Sequence, residues 1–168
     1  MSKNLIIITG PTASGKSTVA KLLCKKYKKC VRLDIDRIKH FVETGFKYDN
    51  SVEGKRQWNL CAENVIFLTK NYLKNDYTVI IEGVLGSIVD IKEWKMIFKE
   101  LKPKYKFLLF VNKNQLNLRN KMRDKKVQLT RKDIDRHFSK FSSEFYKNYF
   151  EVIENNNLTE TVENIYGR

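Results

Sequence analysis

The sequence predicts an α/β fold, a three-layer α/β/α sandwich around a five-stranded parallel sheet with a short lid. Short β-branched or aliphatic runs alternate with longer segments of helical period, the pattern of stacked βαβ units. The first of these runs opens directly into a Gly-rich turn followed by an amphipathic segment. No Gly/Ser/Pro-rich linker, low-complexity stretch or internal repeat divides the 168 residues, so a single domain over 1–168 is expected.

The strands are expected at Leu5–Thr9, Val31–Asp34, Thr78–Glu82, Lys106–Val111 and Glu151–Glu154. A long amphipathic helix is predicted across Glu53–Asn75, because Trp58, Ala62, Val65, Phe67, Leu68, Tyr72 and Leu73 recur every three to four residues. Trp94, Ile97, Phe98 and Leu101 form a similar stripe. So do Ile134, Phe138, Phe141, Phe145 and Tyr149 in the penultimate helix. Each stripe reads as core.

Composition narrows the classes. No run approaches the roughly 18 apolar residues of a membrane span, and Leu5–Ile8 is too short for a secretory signal, so a soluble cytoplasmic protein without a membrane partner is expected. Cys24, Cys30 and Cys61 are odd in number and lack Cys-x-x-Cys spacing, which predicts reduced thiols rather than a disulfide framework or zinc site. The net charge of +14 admits a nucleic-acid partner. Lysine spread through Lys21–Lys29, Lys92–Lys106 and Lys121–Lys132, with no basic and aromatic stripe, favours solvated faces instead.

Gly10-Pro11-Thr12-Ala13-Ser14-Gly15-Lys16-Ser17 satisfies G-x-x-x-x-G-K-[ST] between an apolar strand and a helix with Val19, Leu22 and Leu23 inward. This is the P-loop NTPase form of the sandwich. Its glycines let successive N–H groups turn toward phosphates, and the positive end of the next helix adds favourable field. Gly10, Thr12, Ala13, Ser14, Gly15, Lys16, Ser17 and Thr18 are therefore the expected ATP contacts. Lys16 is expected to reach the β- and γ-phosphates, and the Ser17 hydroxyl to ligate Mg²⁺.

Asp34 and Asp36 stand at the end of the second strand, in Leu33-Asp34-Ile35-Asp36-Arg37-Ile38-Lys39-His40. Ligands of open α/β sheets bind at that end of the strands. Asp36 is either the cap of the next helix or the group that takes the proton from an attacking hydroxyl, close enough to the metal to count among its ligands. Asp34 is a candidate for holding magnesium through water or for contacting substrate, and Lys39 for an anionic part of that substrate.

These motifs resemble the small P-loop kinases that include zeta toxins, chloramphenicol phosphotransferase, adenylylsulfate kinase and polynucleotide kinase. The resemblance implies that Asp36 is the catalytic base. Tyr77–Leu85 is similar to the zeta-toxin strand ending in an acid, which implies that Glu82 binds substrate or holds magnesium through water. Val84 stands where that family has Thr, so the toxins' nucleotide-sugar acceptor is not carried over. The resemblance also places Arg119, Arg123 and Arg131 around a lid at about 119–131, one guanidinium stacking on adenine and another meeting the transferring phosphoryl group. Glu154–Thr159 is the candidate adenine-contacting loop.

The expected activity is a kinase transferring the γ-phosphate of Mg-ATP to a hydroxyl of a small-molecule, nucleoside or nucleotide-like acceptor, by a monomer or homodimer. The competing readings are a polynucleotide- or tRNA-directed kinase and a nucleotide-binding ATPase without acceptor. Val111-Asn112-Lys113-Asn114 ends in Asn where guanine recognition needs Asp, which argues against a GTPase. The loop text also matches tRNA prenyltransferases, a family of much longer chains.

Overall fold

In the computed structural model, residues 5–47, 49, 51–84 and 92–168 are described, without the side chains of 92–94. Five parallel strands form one sheet: β1 (Leu5–Thr9), β2 (Cys30–Asp34), β3 (Thr78–Glu82), β4 (Tyr105–Phe110) and β5 (Glu151–Glu154), in the order β2-β3-β1-β4-β5. Around them lie α1 (Lys16–Cys24), α2 (Ile35–Lys39), α3 (Val52–Lys74), α4 (Lys92–Leu101), α5 (Lys113–Lys121), α6 (Arg131–Phe141), α7 (Glu144–Tyr149) and α8 (Leu158–Tyr166).

Alternation along β1 makes the three layers. Leu5 and Ile7 join Leu33, Val79 and Ile81 against α3 residues Cys61, Ala62 and Val65, with Ile97 of α4. Ile6 and Ile8 face the other way, packing with Ile80, Phe107 and Leu109 against Val19 and Leu23 of α1 and Val162 and Ile165 of α8. All five β1 residues are buried, as a central parallel strand covered on both faces requires. Among the described residues no helix is long and apolar enough to cross a membrane.

The predicted strands hold to within one residue, but two expected core stripes are corrected. Phe67 is 70 % exposed. It lies two residues beyond buried Val65, about 200° around the helix, while Val65, Ile66 and Thr69 carry the inward face. The stripe Ile134–Tyr149 is not one helix. It breaks at Ser142-Ser143, and the phase shift turns Tyr146 and Phe150 inward while Phe145 and Tyr149 stack on each other at a partly exposed edge, 5.1 Å between rings. Trp94, the first position of the α4 stripe, lies outside the described side chains; Ile97 is buried as expected.

Candidate active site

Strand order gathers the carboxyl ends of β1, β2 and β3. Asp34 sits opposite Glu82, and Glu82 opposite Ile8, one residue before the end of β1. The Thr9 hydroxyl donates to the Gly83 carbonyl (3.1 Å), fastening β1 to the turn after β3. The Gly-rich turn therefore leaves the sheet beside two acids that arrive from other strands.

The turn itself is closed by glycine geometry. Gly10 has φ +149°, and a Cβ there would lie 2.2 Å from the Leu109 carbonyl oxygen. Gly15 has φ +94°, and its Cβ would lie 2.5 Å from Asn155 Nδ2. Larger residues fit neither position without moving β4 or Asn155. Lys16 is 7 % exposed and curls back to donate to the Pro11 carbonyl (2.9 Å). Burial pulls its pKa down to about 8, against the opposing pull of Glu82 and Asp36.

An open cleft of about 390 Å³ lies over the turn, lined by Thr12, Ala13, Gly15, Lys16, Ser17, Thr18, Asp36, Glu82, Val84, Arg119 and Arg123. It falls within the usual range for small-ligand sites, roughly 300–1,000 Å³. The Asp36 side chain stands at its solvent-exposed mouth. Crowding by the cleft walls raises its pKa above the ordinary carboxylate value, with Lys16 opposing and Asp34 adding. Asp34, not Asp36, caps α2: its Oδ1 accepts from the Arg37 amide (3.3 Å). That leaves the Asp36 carboxylate to the cleft.

Glu82 is 2 % exposed, accepts from the Ser17 hydroxyl (3.1 Å) and pairs with Arg32. Burial raises its pKa, Asp34 adds to that, and Ser17, Lys16 and Arg32 hold it back. Ser17, Asp36 and Glu82 line the cleft together and offer oxygen donors that fit a hard cation such as Mg²⁺, while Asp34 is turned to Arg37 and Arg32. Among the described residues no cluster of three or more His, Cys, Asp or Glu is placed to hold a metal, so phosphate oxygens and water would have to complete the shell. Lys39 is buried with its ammonium 3.1 Å over the centre of the Trp58 ring and 4.9 Å from that of Phe46. It lies against aromatic surface and does not line the cleft, though Asp36 is near enough to oppose the burial that lowers its pKa to about 8.

The expected arginines divide. Arg119 donates to the carbonyls of Asn155 (2.7 Å) and Ser14 (3.4 Å), and so braces the back of the turn while lining the cleft. Arg123 stands past the end of α5 rather than on it, and its buried Nη1 has no hydrogen-bond partner among the described residues. A buried guanidinium nitrogen without an acceptor is costly unless a ligand supplies one. Arg131 opens α6 and lines a different pocket with Asn117, Asn120, Lys121, Gln128 and Leu129.

Sequence reading placed Asn155 in the candidate adenine loop without its bracing role, and missed His137. Asn155 is buried at the end of β5, and its Nδ2 donates to the Ser14 carbonyl (2.8 Å), bracing the turn rather than standing open toward a base. His137 of α6 has its Nδ1 2.9 Å from the Thr12 hydroxyl, and burial pushes its pKa down to about 4, so the ring is neutral. Nothing in the local sequence around His137 signals a contact with a turn 125 residues earlier.

The family model for zeta toxins matches residues 1–162, almost the whole chain. The chain belongs to the zeta toxin family. Solved structures agree on the fold of this zeta-toxin family member. The tunicamycin resistance protein of Deinococcus radiodurans superposes with a TM-score of 0.70 at 17 % identity, covering 98 % of this chain and 94 % of that one. Shikimate kinase from Acinetobacter baumannii, solved with shikimate, gives 0.65 at 16 % identity, with 98 % and 91 % covered. A chain of the Pnkp1/Rnl/Hen1 RNA repair complex gives 0.64 at 20 % identity over 88 % of this chain, which spans 46 % of that larger one. No curated protein sequence matches the chain. These likenesses establish the α/β fold with its five-stranded parallel sheet.

Proposed function

We propose that the protein is a kinase that transfers the γ-phosphoryl group of Mg-ATP to a hydroxyl of an acceptor. The observation that carries this reading is the meeting, in one cleft, of a buried lysine, an arginine with an unpartnered buried nitrogen and a carboxylate left free of capping. A nucleotide switch needs the first two but has no use for the third.

In this reading the triphosphate lies along Gly10–Thr18. Lys16 and Arg123 face its γ-phosphoryl group, where fixed positive charge stabilises what develops in transfer. Arg119 holds the turn and flanks the nucleotide. Asp36 accepts the acceptor proton as the hydroxyl oxygen bonds to phosphorus and the bond to the ADP oxygen breaks. Desolvation raises its pKa, which makes it a better base than an ordinary aspartate. Mg²⁺, held by Ser17 with Glu82 behind it, would neutralise phosphate charge. Arg131, turned to another pocket, is outside this arrangement.

Acceptor-dependent ADP release, measured across sugars, nucleosides, aminoglycosides and short 5′-hydroxyl oligonucleotides, tests the proposal. Asp36→Asn is expected to bind ATP nearly as wild type and to lose transfer by about a hundredfold or more. Full transfer by that variant rejects Asp36 as base, and absence of Mg-ATP binding by the wild type rejects the proposal. Acceleration by oligonucleotides alone, falling steeply with salt, would assign a nucleic-acid acceptor.

A further inference from the structure

We propose that Cys24 and Cys30 form an oxidisable dithiol, a modification site that reacts with a peroxide and closes into an intramolecular disulfide. The inference does not depend on the kinase reading. Cys24 is the last residue of α1 and Cys30 the first of β2, and their sulfurs lie 2.9 Å apart with the Cys30 thiol donating to Cys24. The turn between them is already ordered: Lys25, Lys26 and Tyr27 amides donate to the carbonyls of Leu22, Leu23 and Cys24 at 3.0–3.2 Å. Closure therefore needs little movement of the chain.

The chemistry of the two sulfurs is unequal. The hydrogen bond from Cys30 lowers the Cys24 pKa, burial opposes it and Arg32 helps. Arg32 is the cation that favours a Cys24 thiolate. The negative end of α1 works against it. Cys30, as donor, is held protonated. Both residues are partly exposed, so a small oxidant reaches them, whereas Cys61 is buried against the Ile35 carbonyl.

In the first step the Cys24 thiolate attacks a peroxide oxygen. The O–O bond breaks, hydroxide leaves and takes a proton from solvent, and Cys24 becomes a sulfenic acid. Cys30 sulfur then displaces that hydroxyl group, its own proton leaving with it as water. The two sulfurs are oxidised by two electrons in all, and the peroxide is reduced to two waters.

The test treats the full chain with one equivalent of hydrogen peroxide, blocks remaining thiols with iodoacetamide and measures intact mass and tryptic peptides. The expected result is a loss of about 2 Da before blocking, a single carbamidomethyl group after it, and a bridge between peptides carrying Cys24 and Cys30. The thermal midpoint should rise by roughly 5 °C, as restriction of the unfolded chain by a short loop implies. Cys61→Ala should keep the bridge. Cys30→Ser should stop at a Cys24 sulfenic acid trapped by dimedone. Oxidation of Cys24 to sulfinic acid in the wild type without a bridge, or three thiols still alkylated, overturns the proposal.

Discussion

Burying the Lys16 ammonium beside the Pro11 carbonyl holds its pKa near 8, against 10.5 in the unfolded chain. Between those values the unfolded chain binds a proton that the folded one has released, so this group makes stability rise with pH across that window. Below pH 8 the cost of the buried charge is present in full. Lys16→Met should therefore stabilise the unliganded protein at pH 7 by about 1–3 kcal/mol, with the gain shrinking toward pH 10.5, while abolishing transfer. Urea unfolding at both pH values checks it, and a destabilised variant at pH 7 would show that Glu82 and Asp36 outweigh burial. His137 tests a smaller term. Losing its contact with Thr12 removes one hydrogen bond from the turn, so His137→Leu should raise the KM for ATP by about 2–10-fold with kcat little changed, and His137→Gln should recover part of it.

The segment at 119–131 is held as an element by one side chain. Asn120 is buried, its Nδ2 donates to the Leu129 carbonyl (2.9 Å), and its Oδ1 accepts from the Leu129 amide (3.0 Å). Gln128 adds bonds to the carbonyls of Lys121 and Arg123. Asn120→Ala should cost about 2 kcal/mol locally, seen as faster hydrogen exchange at Leu129, and should lower transfer more than ATP binding because Arg123 loses its support. Unchanged exchange at Leu129 would contradict that assignment. The arginine pair and the polar stretch after it were legible as a pattern, but the closure of that stretch through Asn120 was not, since an Asn among polar residues gives no signal of burial. The α6–α7 break was hidden for a related reason. Apolar spacing continues from Phe138 to Tyr149, and only the Ser143 N-cap, with Glu144 in the first turn, marks the restart.

At the scale of the molecule, the charge of +14 stores self-repulsion that a bound polyanion or added salt relieves. Mg-ATP at about a hundred times its Kd should add about 2.7 kcal/mol of stability, a rise in Tm of roughly 5–10 °C. Calorimetry with and without nucleotide measures it, and no shift at any concentration would remove the nucleotide from the proposal. The sequence by itself determined the five strands, the Gly-rich turn and the acids around the end of β2, because strand burial, glycine-dependent turns and helix starts are local and print their periods and residue types in the chain. Only the tertiary structure decided that β3 lies between β2 and β1. That order sets Glu82 against Ser17 and Asp34, leaves Asp36 facing Lys16, turns Arg131 elsewhere, and brings Asn155 and His137 behind the turn. The contacts of Glu82, His137 and Asn155 join residues 48 to 141 positions apart, and no local propensity encodes them.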